Sequence, residues 1–257
     1  MTPTEWPIIL TFHHISVGER SRYVLPAEAF EARLGAMLAD GFTPLPLAEA
    51  VAAGPNGSRS APEKTFHLTF DDGLSSFSTH AVPALVRLGL LGAATVFIPT
   101  AYVGGTNEWV AHPTPLQRVV PWHDIAEPLM SWDEIARIRD LGVGVESHGH
   151  AHLPMPDLTY EAALDDVTTA KRILGEHGFA TRFIALPFGW RSEAAKRAIR
   201  DAGYEAGFAV KRGGRDELEI RRVPVYGTDS AWMRRLKLSG GYFRWLDAFG
   251  LSGGARP

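Results

Sequence analysis

The sequence predicts an α/β fold of about seven parallel strands closing into a barrel. Three observations carry this. Short β-rich apolar runs alternate with helical patterns along the 257 residues. Strand–helix units of this size are the spacing at which parallel strands joined by right-handed crossovers form. No internal repeat or low-complexity linker interrupts the alternation, so the whole chain, 1–257, reads as one domain. About seven strands in one domain favour a barrel over an open sheet.

The expected strands are Ile8–Phe12, Thr65–Phe70, Ala93–Ile98, Val143–Ser147, Phe183–Leu186, Glu205–Ala209 and Ile220–Val225. Between them, Pro26–Asp40 carries Phe30, Leu34 and Leu38 at helical spacing and stops at Gly41. Helical patterns follow at Phe77–Leu88, Trp132–Leu141, Thr159–His177 and Ser192–Ala202, the last with Ser192 placed as an N-cap. Residues Gly54–Ala61 read as a surface loop, and Pro99–Ser131 is a long segment without strand pattern, a length at which loops are commonly functional.

Composition narrows the function. With 26 Lys and Arg against 29 Asp and Glu, the net charge is −3, which leaves no basic field for nucleic acid. The chain has no cysteine, excluding disulfides, thiolate metal sites and cysteine nucleophiles. The start, Met-Thr-Pro-Thr-Glu-Trp-Pro, lacks a cationic region and a long apolar region, so a soluble, cytoplasmic protein is expected. Residues Ala231–Pro257 hold Arg234, Arg235, Lys237, Arg244 and Arg256 against Asp247 alone, a net +4, interleaved with Trp232, Met233, Leu236, Tyr242, Phe243, Trp245, Leu246 and Phe249. This basic amphipathic element either packs on the first helix and closes the barrel or lies on an anionic membrane.

The chemistry collects where strands end, as it does in parallel α/β folds. Four predicted strands run into reactive residues: His13-His14, Asp71-Asp72-Gly73, His148-Gly149-His150-Ala151-His152, and Pro187-Phe188-Gly189-Trp190. Two adjacent carboxylates after an apolar strand cannot both be buried without a cation or a shared proton, although Asp-Asp-Gly alone also suits a helix-capping turn. Three histidines in five residues weigh against that plainer reading. Imidazole is the commonest borderline-metal ligand, and two His plus one carboxylate leave coordination positions open, which is a catalytic arrangement.

These residues resemble a known family. Thr69-Phe70-Asp71-Asp72-Gly73 is similar to the first motif of the NodB-type polysaccharide deacetylases (carbohydrate esterase family 4). His148-Gly149-His150-Ala151-His152 resembles the second motif, and Ala185-Leu186-Pro187-Phe188-Gly189 the third, over a stretch running from about Ile8 to Tyr226. The resemblance implies a distorted (β/α) barrel and metal-dependent hydrolysis of an N-acyl amide on an amino sugar. It assigns Asp72, His148 and His152 to a divalent metal, commonly Zn2+, with Co2+, Ni2+ or Mn2+ as alternatives. It makes Asp71 the general base towards the attacking water, and the Phe188 backbone N–H an oxyanion donor. The family's usual acid histidine near the C-terminus has no counterpart, since no histidine follows His177. A circularly permuted sub-group, that of the poly-N-acetylglucosamine deacetylases, instead carries the acid after the first strand. That makes His13 the expected acid, with His14 its competitor.

Gly149 stands where the motif has a hydroxyl residue, and Ala185 where it often has an arginine; Arg222 is the candidate partner for Asp71 in its place. Trp109, Trp122 and Trp190 are expected either as a platform for a pyranose ring or as anchors of the long loop. The alternatives to a sugar deacetylase are a catalytically silent carbohydrate-binding barrel and a hydrolase for a different amide, such as a deformylase.

Overall fold

The computed structural model describes residues 7–18, 22–54, 62–107, 109, 127–189, 192–210 and 216–251. In chain order the elements are β1 (Ile8–Phe12), β2 (His14–Ser16), β3 (Val24–Pro26), α1 (Ala27–Ala39), β4 (Thr43–Pro44), α2 (Leu47–Ala52), β5 (Thr65–Phe70), α3 (Val82–Leu88) and β6 (Ala94–Ile98). They continue as α4 (Trp132–Asp140), β7 (Gly144–Ser147), α5 (Tyr160–Glu176), β8 (Phe183–Ala185), α6 (Glu193–Asp201), β9 (Ala206–Phe208), β10 (Val223–Pro224), α7 (Ala231–Lys237) and α8 (Tyr242–Ala248).

Seven strands of the main sheet run in the order β10-β1-β5-β6-β7-β8-β9, the two-residue β4 adds an eighth beside β5, and every pairing is parallel. One extended segment brings the two ends of this sheet together. Ile220 bridges Phe208 of β9 and donates its N–H to the Gly207 carbonyl at 2.8 Å, while Val223, three residues on, pairs with Leu10 of β1. The sheet is therefore a distorted barrel whose seam is held by residues 220–224, and no long edge is left unpaired there.

Strand alternation divides the apolar residues between inside and outside. On β1, Leu10 and Phe12 pack outward with Phe30 and Leu34 of α1, whereas Ile9 joins Phe97, Phe183, Phe208 and Ile220. Phe97 on β6 and Phe208 on β9 are not sheet neighbours, yet their rings lie 5.6 Å apart, so this second cluster fills the lumen. Ser192 caps α6 as expected, its hydroxyl accepting the Ala195 N–H, and Ser131 with Glu134 forms a capping box on α4.

The expected helix Phe77–Leu88 is divided. Phe77–Ala81 is a π-turn and the α-helix proper starts at Val82. Pro83 has no N–H to return to the preceding turn, and the wider turn accommodates its ring. The short elements β2, β3, β4 and α2, and the split of the C-terminal element into α7 and α8, were not anticipated. Two- and three-residue strands carry no periodic signal and exist through their pairing partners.

One buried carboxylate ties the sheet together where its ladder is thin. Between β7 and β8 only Ser147 and Ile184 pair, and beside them Glu146 accepts the N–H groups of Arg182 and Phe183, each at 2.9 Å. Burial pushes this carboxyl from its ordinary 4.5 to about 7, against the pull of those two amides. Because the folded-state value is raised, the native protein loses stability as pH rises from 4.5 through 7. Glu146→Gln keeps an oxygen for both amides and removes the charge. It is expected to equal the parent near pH 4 and exceed it by about 3 kcal/mol at pH 8, read by urea unfolding at both pH values.

Candidate active site

The reactive residues converge because backbone ladders run on past the strand ends. Asp71, just after β5, donates its N–H to the Phe12 carbonyl of β1 at 3.1 Å. His148, just after β7, donates its own to Ile98 of β6 at 2.9 Å. Both side chains thus start from the same rim of the barrel. Among the described residues, four non-glycine positions have positive φ, and three of them are here: Asp72 at 71°, His152 at 51° and Phe188 at 61°. Conformations of that kind cost of order 1–3 kcal/mol each and persist where the surroundings over-determine them.

Asp72, His148 and His152 offer atoms that all lie within 4.8 Å of one another, and all three residues are buried. Nε2 of His148 stands 3.4 Å and Nε2 of His152 3.1 Å from the same oxygen, Asp72 Oδ1. That oxygen is buried without a hydrogen-bond partner. His148 Nδ1 lies 2.8 Å from the Ala185 carbonyl, which can only accept, so Nδ1 carries a proton and, in the neutral imidazole, Nε2 presents a lone pair. A lone pair aimed at a carboxylate oxygen is relieved by a proton or a metal ion between them, and this donor set of two imidazoles and one carboxylate around an orphaned Asp72 oxygen fits a divalent ion such as zinc. His150 is held away from the group, with its Nδ1 2.9 Å from Thr100 Oγ1.

Beside this group lies Asp71 in a bidentate pair with Arg222, at 2.6 Å from Nη1 and 2.8 Å from Nη2. Arg222 is fully buried and is itself pinned through Nε to the Ala209 carbonyl at 3.1 Å and through Nη1 to Thr69 Oγ1 at 3.2 Å. Burial alone would push the Asp71 carboxyl up. The Arg222 guanidinium, with His148 and His13 in support, overrides burial and holds it ionised below the ordinary carboxylate range.

Asp71, Asp72, His148, His152 and Phe188 line one cavity of about 130 Å³ together with His13, Tyr23 and Tyr226, among others. His13 faces this cavity. His14 turns away as the first residue of β2, with Nδ1 3.2 Å from Glu127 Oε1. The sugar-platform expectation for Trp109 is corrected. Its ring is 5% exposed, stacks on His152 at 4.3 Å and packs with Tyr102, Leu74 and Leu129, so it walls in the His152 imidazole. Trp122 and Trp190 lie outside the described residues.

The sequence matches the family model for polysaccharide deacetylase over residues 58–207, more than half of the chain. The chain belongs to the polysaccharide deacetylase family. No curated protein sequence matches it significantly. Among solved structures it is similar to the Streptococcus pyogenes deacetylase PplD in complex with acetate, with a TM-score of 0.71 and 18% identity, covering 90% of this chain and 97% of the other. It is also similar to IcaB from Ammonifex degensii, with a TM-score of 0.70, 20% identity and coverage of 92% and 96%. A de-N-acetylase from Aggregatibacter actinomycetemcomitans gives 0.69, 16% identity and coverage of 90% and 98%. At these identities the similarity concerns the fold, the distorted barrel described above.

His13, on the cavity wall, and Arg222, which holds Asp71 from behind, both lie outside the matched stretch and are brought there by strand pairing. A third escaped the sequence reading altogether. Asp166 of α5, buried beneath the histidine loop, accepts the N–H groups of His150 and Ala151 at 2.9 and 2.8 Å. Its sequence signal is one acidic residue on the buried side of an amphipathic helix. Asp166 also explains Gly149, whose φ is +77° and whose added Cβ would meet Asp166 Oδ2 at 2.7 Å. The Asp166 carboxylate thus holds the histidine loop from outside. Gly149→Ser is therefore expected to expel Asp166 and loosen His148 and His152, lowering zinc affinity about 10–100-fold in a chelator competition.

Proposed function

We propose that this polysaccharide deacetylase hydrolyses the N-acetyl amide of an amino sugar within a polysaccharide, an oligosaccharide or a saccharide precursor. The reading is carried by one observation: an ionised Asp71, locked by Arg222, opens into the same cavity as the Asp72–His148–His152 group. Those three residues would hold a divalent cation, zinc by preference of the donor set. When bound, it would polarise the scissile carbonyl and acidify the attacking water. Asp71 takes the proton of that water, its geometry held by two hydrogen bonds from Arg222. The Phe188 backbone N–H, at the same cavity, would donate to the oxyanion that develops on the substrate carbonyl. His13, which lines the same cavity, gives the departing amine its proton. The retained base speaks against a catalytically silent binding barrel, for which Asp71 and its buried counter-ion would have no use.

The deciding experiment uses chelator-stripped protein on short N-acetylglucosamine oligomers, with and without Zn2+ or Co2+. Acetate release that returns only with the metal supports the reading. Tight metal uptake without acetate release on any oligomer moves the assignment to another acyl group, formyl first, or to carbohydrate binding alone. Absence of metal uptake removes the Asp72, His148, His152 assignment. His13 has its own test, because an activated aryl ester leaves without needing a proton. His13→Ala is expected to slow amide cleavage by about 10²–10⁴ while changing ester hydrolysis only a few-fold. Equal losses on the two substrates would remove His13 from the role.

A further inference from the structure

The C-terminal pair α7 and α8 has an inner face whose role is plain and an outer face whose role is not. Inward, Tyr242, Phe243 and Leu246 are buried in the large outer-layer cluster with residues of α1 and β1, and Lys237 is locked to Asp229 at 2.6 Å. This is the barrel-packing role anticipated for the segment. Outward, Trp232 is 58% exposed, Phe249 66% and Leu251 54%, which accounts for three of the six large hydrophobic side chains exposed among the described residues. Trp232 and Phe249 form one strip with the half-buried Trp245 between them: the Trp232 and Trp245 rings are 5.7 Å apart, and those of Trp245 and Phe249 5.4 Å apart.

The charge around the strip is one-sided. With Lys237 neutralised by Asp229 on the inner side, residues 231–251 offer Arg234, Arg235 and Arg244 against a single acid, a net +2 on a chain whose total is −3. The acid, Asp247, is engaged by Arg221 at 2.9 Å. Arg235 is exposed and lies three residues beyond Trp232, hence on the same side of α7. Next to it, between α1 and α7, opens a mainly apolar cavity of about 310 Å³ lined by Leu10, Phe30 and Leu34, with Arg234 and Arg235 and the acids Asp40 and Asp229 among its polar residues.

We propose that this outer face of α7 and α8 docks on an anionic lipid bilayer. Indole and phenyl rings would sit at the headgroup level, and the guanidinium groups would meet the lipid phosphates. Neither α7 nor α8 exceeds 7 residues and, among the described residues, no helix is long and apolar enough to cross a membrane, so the contact is peripheral. Because α7 begins shortly after Tyr226, a wall residue of the catalytic cavity, docking would hold the cavity near the lipid surface. The inference does not depend on the reaction proposed above.

Flotation with vesicles of phosphatidylcholine alone, and of phosphatidylcholine mixed with phosphatidylglycerol, tests it on the full chain. The expected result is at least about tenfold stronger binding to the anionic vesicles, weakening as salt is raised. Trp232→Ser with Phe249→Ser, and separately Arg235→Glu, should each reduce that binding about tenfold. Melting temperature and hydrolysis of a soluble substrate should stay unchanged in both variants. Failure of the parent protein to bind either vesicle overturns the proposal, as does binding that survives both variants. A concentration-dependent dimer abolished by the same variants, without vesicle binding, would assign the strip to a second copy of the chain and overturn it equally.

Discussion

Asp71→Asn is expected to lower kcat/KM for amide hydrolysis by about 10²–10⁴ while zinc uptake is retained. Asparagine has nearly the shape of aspartate, so the carbonyl oxygen still receives an N–H from Arg222, and Asp72, His148 and His152 keep their places. What is lost is the ability to accept a proton from water. The substitution also leaves the guanidinium of a fully buried arginine without its counter-charge, and a stability loss of order 3 kcal/mol should accompany the kinetic one. Steady-state rates, a zinc-competition titration and urea unfolding separate the three effects. Loss of zinc together with activity would mean that Asp71 belongs to the ion's own coordination and not to the base.

The reverse substitution tests the same pair from the other side. In Arg222→Met, burial of the Asp71 carboxyl is no longer opposed by the guanidinium, and its pKa moves from below the ordinary value towards or above it. The sign of the pH dependence then reverses. In the parent, the depressed value contributes stability that is lost as pH falls. In the variant, a raised value makes stability fall as pH rises. The acid limb of kcat/KM should shift to higher pH, and activity at pH 7 should drop about 10²-fold or more as the base becomes protonated and loses its bidentate support. Breaking a buried pair in this way costs about 3–5 kcal/mol, so unfolding should register it strongly. The double variant Asp71→Asn, Arg222→Met leaves no lone charge and should be more stable than Arg222→Met alone, whereas additive losses would show that the two side chains do not act as a pair.

The parallel strands, their order of appearance and the residues at their ends were legible because each is a local signal. The apolar runs at Ile8–Phe12 and Thr65–Phe70 were placed at their observed bounds, and the cap at Ser192 was read from residue type alone. The Asp71-Asp72-Gly73 and His148–His152 segments were visible because their residue types are rare in such density. The small β2–β3 sheet, β4 and the π-turn before Pro83 were not legible, since pairing partners and a missing N–H decide them. Asp166 was hidden because a single acid on a helix face does not announce that it supports a loop.

The sequence by itself determined the chemistry available to this protein: two carboxylates and a histidine cluster at strand ends, with no thiol and no basic field. The tertiary structure decided how those groups are used. It selected His13 over His14 for the cavity wall, because one follows the end of β1 and the other begins a strand that turns aside to Glu127. It turned Trp109 from a prospective sugar platform into a wall behind His152. It brought Arg222 across 151 positions to Asp71, because β10 and β5 flank the same strand, β1. Side-chain chemistry is written residue by residue. Charge pairing and burial depend on distance in space, and only the closed barrel sets those distances.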